Sequence, residues 1–160
     1  MRPAVLFGDE GILINNIAWL LRRFPLFVVP GSGEYRLQPI FVEDLADLMI
    51  EQGKRDDNST TDAIGPETFT FNELVTLVGR IVKSRARVVH LPPTLALRLS
   101  QIIGVMRRDV ILTREEVDGL LADLLVTESA PTGQTKLSEW MTAHRESLGR
   151  RYQSELARHF

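Results

Sequence analysis

The sequence predicts an α/β fold with few short strands and a helix-rich C-terminal region. Three observations carry that expectation. Over the first half, short apolar runs closed by glycine or proline alternate with segments of helical apolar spacing. Two capping-box sequences, Thr70-Phe-Asn-Glu73 and Thr113-Arg-Glu-Glu116, mark helix starts further on. The composition, 44% hydrophobic and 25% charged over 160 residues, is that of one ordinary globular domain and excludes wholesale disorder.

The elements follow in order. Ala4 to Phe7 is an apolar run stopped by Gly8, a short buried strand. Leu13, Ile17, Leu20, Leu21 and Phe24 recur at helical spacing, and Pro25 ends that helix. Asn15 and Asn16 fall on its polar face. Leu26 to Val29 is a second strand, closed by Pro30-Gly-Ser-Gly33. Tyr35 to Val42 is extended, but Pro39 has no amide to donate, so it belongs at a sheet edge or in a loop. A helix from Glu43 to Gln52 places Leu45, Leu48 and Met49 on one face, with acidic residues in its first turn. Asp62 to Ile64 is a brief strand. The helix behind Thr70 buries Leu74, Leu77, Val78 and Ile81, and Arg87 to Leu91 is a strand leading into a helix from Pro92-Pro93 to about Arg108. A further helix runs to Leu125. After a polar break at 127–134 comes a helical tail from Thr135 to Phe160, interrupted near Leu148-Gly149.

Charge is uneven, although the formal net charge is only −2. Residues 80–108 carry seven arginines and lysines and no acid, flanked by acidic stretches. The basic stretch lacks interleaved aromatics, so no nucleic-acid partner is expected. With no cysteine, disulfides, thiol nucleophiles and cysteine-ligated metals are excluded. The longest apolar runs are far too short to span a bilayer, and the first residues lack the apolar core of a signal peptide. The expectation is a soluble, cytoplasmic protein.

No catalytic constellation is complete. His90, His144 and His159 are scattered, so no metal site is expected. G-x-S-x-G and Tyr-x-x-x-Lys are both absent. Gly8-Asp-Glu-Gly11 has no third glycine where a dinucleotide turn needs one, and Gly31-Ser-Gly33 leads into an extended segment rather than a helix. No catalytic residue is assigned.

Three segments in order nevertheless resemble the C-terminal, substrate-side part of extended or atypical short-chain dehydrogenases/reductases. They are Arg2-Pro-Ala-Val-Leu-Phe-Gly8, the run from Gly31 through Arg36 to Asp44-Leu-Ala46, and Ala63-Ile-Gly-Pro-Glu through Glu73-Leu74. Ile14-Asn-Asn-Ile-Ala18 and Gln38-Pro39 are similar to the branch that holds the NAD(P)-binding accessory subunit of respiratory complex I and bacterial sugar-nucleotide epimerase-like proteins.

The resemblance implies a partial Rossmann-like fold. Residues 1–83 would be the C-terminal part of the NAD(P)-binding domain and 84–160 a helix-rich substrate-side region. It implies that Pro3, Ala4, Val5 and Leu6 pass beside the nicotinamide end of NAD or NADP. Phe7, Asn15, Asn16, Arg36 and Gln38 would face substrate, with Arg36 on its phosphates. The alternative for Arg36 is a surface pair with Glu34 or Glu43; Asp44 is expected as a helix N-terminal residue. Because the dinucleotide turn and the Tyr/Lys pair belong to the family's first half, the chain is expected to be a fragment or truncated product. It should then bind nucleotide only together with the missing half and be inactive alone. The other reading is a non-catalytic interaction module, with an unpaired sheet edge suited to a homodimer.

Overall fold

The computed structural model describes residues 1–56, 58–107 and 114–154. Its elements run β1 (Arg2–Pro3), β2 (Leu6–Phe7), α1 (Ile12–Arg23), β3 (Leu26–Pro30), β4 (Arg36–Leu37), β5 (Ile40–Phe41), α2 (Val42–Gln52), β6 (Asp62–Ala63), β7 (Phe69–Thr70), α3 (Phe71–Ile81), β8 (Arg87–Leu91), α4 (Pro93–Arg107), α5 (Arg114–Leu121) and α6 (Leu137–Ala143). This is the expected α/β fold with short strands. The capping box expected at Thr113 lies outside the described residues.

The strands associate in twos. β1 runs parallel to β6, β2 to β5 and β3 to β8, while β4 and β7 are antiparallel. The β3–β8 ladder is the longest, with Leu26 to Pro30 in register with Arg87 to Leu91. It is extended at both ends, where the Arg87 amide donates to the Pro25 carbonyl and the Gly31 amide to that of Leu91.

Local chemistry accounts for the helix ends. Pro25 forces Phe24 out of the helical region, to φ −114° and ψ 147°, and α1 stops there. At α3 the Thr70 hydroxyl accepts from the Glu73 amide (3.1 Å) and the Glu73 carboxylate accepts from the Thr70 amide (2.8 Å), a complete capping box. α6 is capped from a distance: Glu67 accepts from the amide and the hydroxyl of Ser138.

The core lies where α1, α3 and α6 meet β2, β3 and β4, and it joins Phe7, Ile14, Ile17, Leu37, Leu74, Val78, Leu137 and Met141. Burying each such side chain contributes about 1.5–3 kcal/mol. α3 buries Phe71, Leu74, Val75 and Val78, with Leu77 and Ile81 packed at the margin rather than inside.

α2 forms where it is expected, with Leu45 and Leu48 half-buried and Met49 and Ile50 more than half exposed. One expectation needs correction. Among the described residues the tail is not helical beyond Ala143: turns follow, and Gly149 takes the left-handed conformation, φ +69°. Built with a side chain, Gly149 would place its Cβ 2.5 Å from the Ala18 backbone. Only glycine lets the tail lie this close to α1.

Candidate functional site

α1 meets the tail through a row of polar side chains that its sequence had placed on an open face. Asn15 and Asn16 are instead buried, at 8% and 9% exposure, because the chain returns over them. The Asn15 amide donates to the Arg151 carbonyl (2.8 Å), while its oxygen accepts from the Gly149 amide (3.0 Å). Asn16 repeats the pattern on Gln153, donating to its carbonyl (2.8 Å) and accepting from its amide (3.0 Å). A side-chain amide offers a donor and an acceptor side by side, so each asparagine satisfies backbone groups as a neighbouring strand would. One and two turns on, Trp19 meets the Tyr152 ring edge-on, and the Arg22 guanidinium donates to the carbonyls of Leu148 and Arg145.

Between this tail, α6 and the loop after β2 lies a pocket of about 370 Å³. Asp9, Asn15, Trp140, His144, Arg150 and Arg151 are among the residues that line it. The His144 ring stacks on Trp140, centroids 4.4 Å apart, and its Nδ1 bonds the Trp140 carbonyl at 2.8 Å. A carbonyl only accepts, so Nδ1 carries the proton and Nε2, 3.9 Å from Asp9, is left for other partners.

The remaining expected site residues lie elsewhere or deeper. Phe7 is 1% exposed; it packs edge-on against Trp140 and so sits one layer behind the pocket. Gln38 is buried and its oxygen accepts from the Thr127 amide. Arg36 is exposed, and its partner is neither Glu34 nor Glu43. Its Nε and Nη2 donate to Asp123 Oδ2 at 2.9 and 2.6 Å, and its backbone amide donates to Oδ1. Asp123 arrives from the end of α5, which a surface pairing guessed from neighbouring residues could not include. Arg36 in turn holds the Asp123 carboxyl below its ordinary pKa, by hydrogen bonding first. Asp44 does stand in the first turn of α2, and its carboxylate also accepts from the amides of Gln134 and Thr135 and the Thr135 hydroxyl. His90 is exposed and hydrogen-bonded to Asn72.

Pro3 and Leu6 are exposed along the β1–β2 segment, with Ala4 partly covered and Val5 buried. A strand edge of this kind can flank a ring; a dinucleotide also needs a cradle for its pyrophosphate. Neither glycine turn offers one. A Cβ on Gly33 would fall 2.2 Å from the Asn72 side chain, which fills that turn and donates to the Ser32 carbonyl. The Gly11 amide is already donated to the Gly8 carbonyl. Neither glycine turn therefore fits a dinucleotide's phosphates. Among the described residues no cluster could hold a metal ion, and no helix is long and apolar enough to cross a membrane.

The class this fold defines is the Rossmann-like one. UDP-glucose 4-epimerase of Thermotoga maritima superposes on 57% of this chain and 32% of its own, with a TM-score of 0.51 and 21% identity. An epimerase-like protein of Burkholderia cenocepacia covers 94% of this chain and 45% of its own, with a TM-score of 0.50 and 12% identity. In sequence, the relatives are more particular. The mitochondrial NADH dehydrogenase [ubiquinone] 1 alpha subcomplex subunit 9 of Arabidopsis thaliana is 26% identical over 141 residues, covering 81% of this chain. The mitochondrial NADH-ubiquinone oxidoreductase 40 kDa subunit of Neurospora crassa is 27% identical over 139 residues, covering 82%. The chain spans 35% of the length of each. No protein-family profile matches it. The chain is thus related to these respiratory subunits and shares its fold with the epimerases, as its three motifs imply. The expected cytoplasmic location is corrected by the same comparison, since these relatives are mitochondrial proteins.

Proposed function

We propose that the chain is the substrate-side portion of a short-chain dehydrogenase/reductase-like scaffold, serving as an accessory module that works with protein partners rather than as a catalyst by itself. One observation carries this reading. Asn15, Asn16, Arg36 and Gln38, the polar residues the family resemblance turns toward substrate, are each engaged with the chain's own groups. NAD or NADP would be bound by an intact relative, with Pro3 to Leu6 beside the ring and the phosphates held elsewhere than on the two glycine turns. The division into 1–83 and 84–160 is then one of role and not of folding, because β3 and β8 pair across it. The relatives' names support an assembly with respiratory protein subunits.

A second reading is an NAD(P)-dependent oxidoreductase or nucleotide-sugar epimerase in which Arg36 takes a substrate phosphate. Its support is the exposed guanidinium, which could exchange Asp123 for a diphosphate. Thermal unfolding with and without millimolar NADPH, and separately UDP-glucose, distinguishes the two. The accessory reading expects no shift with either. An upward shift with NADPH would mean these residues do build a nucleotide site, and one with UDP-glucose that vanishes in Arg36→Gln would establish the second reading. Self-association through the free edge of β1 is read by sedimentation velocity, where a monomer at high concentration would remove it.

A further inference from the structure

We propose that the pocket between the tail, α6 and the loop after β2 is a binding site for a small phosphate-bearing molecule. This goes beyond the accessory reading and does not rest on it. The pocket's volume of about 370 Å³ falls within the roughly 300–1,000 Å³ of small-molecule sites. Its lining residues include Arg150, Arg151 and His144 and a single acidic residue, Asp9, whose side chain is 84% exposed and free to turn outward. Arg150 is tied to Glu146, through its carbonyl (2.9 Å) and more loosely its carboxylate (3.8 Å). The Arg151 guanidinium has no ion-pair partner among the described residues, so its charge is left for a ligand.

The backbone that carries these arginines is fixed in advance. Asn15 holds the Arg151 carbonyl and the Gly149 amide, Asn16 holds Gln153, and Gly149 lies flat on α1. Side chains on an anchored segment lose less freedom on binding than those on a loose end. His144 is oriented as well: its Nδ1–H is committed to the Trp140 carbonyl, which leaves Nε2 as an acceptor for a protonated phosphate oxygen. Guanidinium groups donate in a planar fork that matches phosphate oxygens. Trp140, stacked on His144, supplies an apolar wall and a fluorescent reporter.

The test is a titration of the full chain with inorganic phosphate, followed by tryptophan fluorescence and by the thermal midpoint, against sodium chloride and acetate at matched ionic strength. Saturable phosphate binding with a raised midpoint is expected, and no saturation with the other two. Arg151→Gln should weaken phosphate by about tenfold, the loss of one charge-assisted contact, and leave the unliganded midpoint in place. Arg150→Gln with Arg151→Gln should abolish it, while Arg98→Gln, on α4, should not alter it. A response that chloride reproduces, acetate saturating as tightly as phosphate, or undiminished binding in the double variant would each overturn the proposal.

Discussion

Arg36 and Asp123 form a closed two-point contact: the carboxylate of one takes both the guanidinium and the backbone amide of the other. Asp123 does so from a left-handed backbone, φ 56°, a conformation uncommon outside glycine that aspartate tolerates better than most. β4 is thereby stitched to the end of α5. Asp123→Asn, which keeps the shape and removes the charge, should lower the thermal midpoint, and Arg36→Gln should do the same. The two together should cost less than the sum of both, as coupled neighbours do. A double-mutant cycle by urea unfolding checks this, and strict additivity would refute the coupling.

Acid should weaken the fold by a route that can be assigned. Asp123 is held low by Arg36, and Asp62 by hydrogen bonds from Ser129 and Thr127 and then by Arg2. A carboxyl whose folded pKa lies below its unfolded value of about 3.9 stabilises the fold above that value. That stabilisation is lost as pH falls through the lowered folded value. Urea midpoints measured from pH 6 downward should stay level and then fall below about pH 4. In Asp123→Asn the fall should be shallower.

Gly149→Ala should be severe for one methyl group. The new Cβ meets Ala18 and the Trp19 amide at 2.5–2.7 Å, on backbone with φ +69°, and overpacking with strain costs about 2–4 kcal/mol. Loss of the Trp19–Tyr152 contact should accompany it, read as a change in native tryptophan emission. A variant as stable as the parent would show that the tail does not lie on α1 as described.

Asn16→Ala removes both bonds to Gln153 and leaves a part-buried amide and carbonyl without them, for a loss of about 1–3 kcal/mol. Asn16→Asp should be no better: a carboxylate accepts from the Gln153 amide but cannot donate to its carbonyl. Chemical denaturation of the two variants side by side would separate loss of the donor from loss of the whole side chain.

Tyr35→Phe should run the other way. The Tyr35 hydroxyl is buried with no hydrogen-bond partner among the described residues, and burial pushes its pKa up. The ring keeps its contact with Phe71, 5.3 Å between centroids, whatever the para substituent. Deleting an unsatisfied hydroxyl should leave stability unchanged or raise it by about 1 kcal/mol. A clear loss would reveal a partner for the hydroxyl.

What could be read from sequence was what neighbouring residues decide among themselves. The Thr70 capping box, the stop at Pro25 and the strands at Leu26 and Arg87 all follow from side chains within a few positions of one another. The site was far less legible, since its bonds join distant segments. Asn16 meets Gln153 at a separation of 137 residues, Asp44 meets Thr135 at 91, and Arg36 meets Asp123 at 87. Periodicity places such residues on a polar face without saying which part of the chain will cover it. The buried Asn pair had one available signal: adjacent amides inside an apolar helix, ahead of a Leu148-Gly149 break where a tail could turn.

The strand pairing has a consequence for the integrity of the chain. β1 with β6, β4 with β7 and β3 with β8 each join a partner before the α2–β6 connection to one after it. The Asn15 and Asn16 bonds to the tail do so too. Covalent continuity there is thus backed by three ladders and a docked tail. A protease cut between α2 and β6 should leave two peptides that travel together under native conditions and part only in denaturant, and separately expressed pieces should find each other.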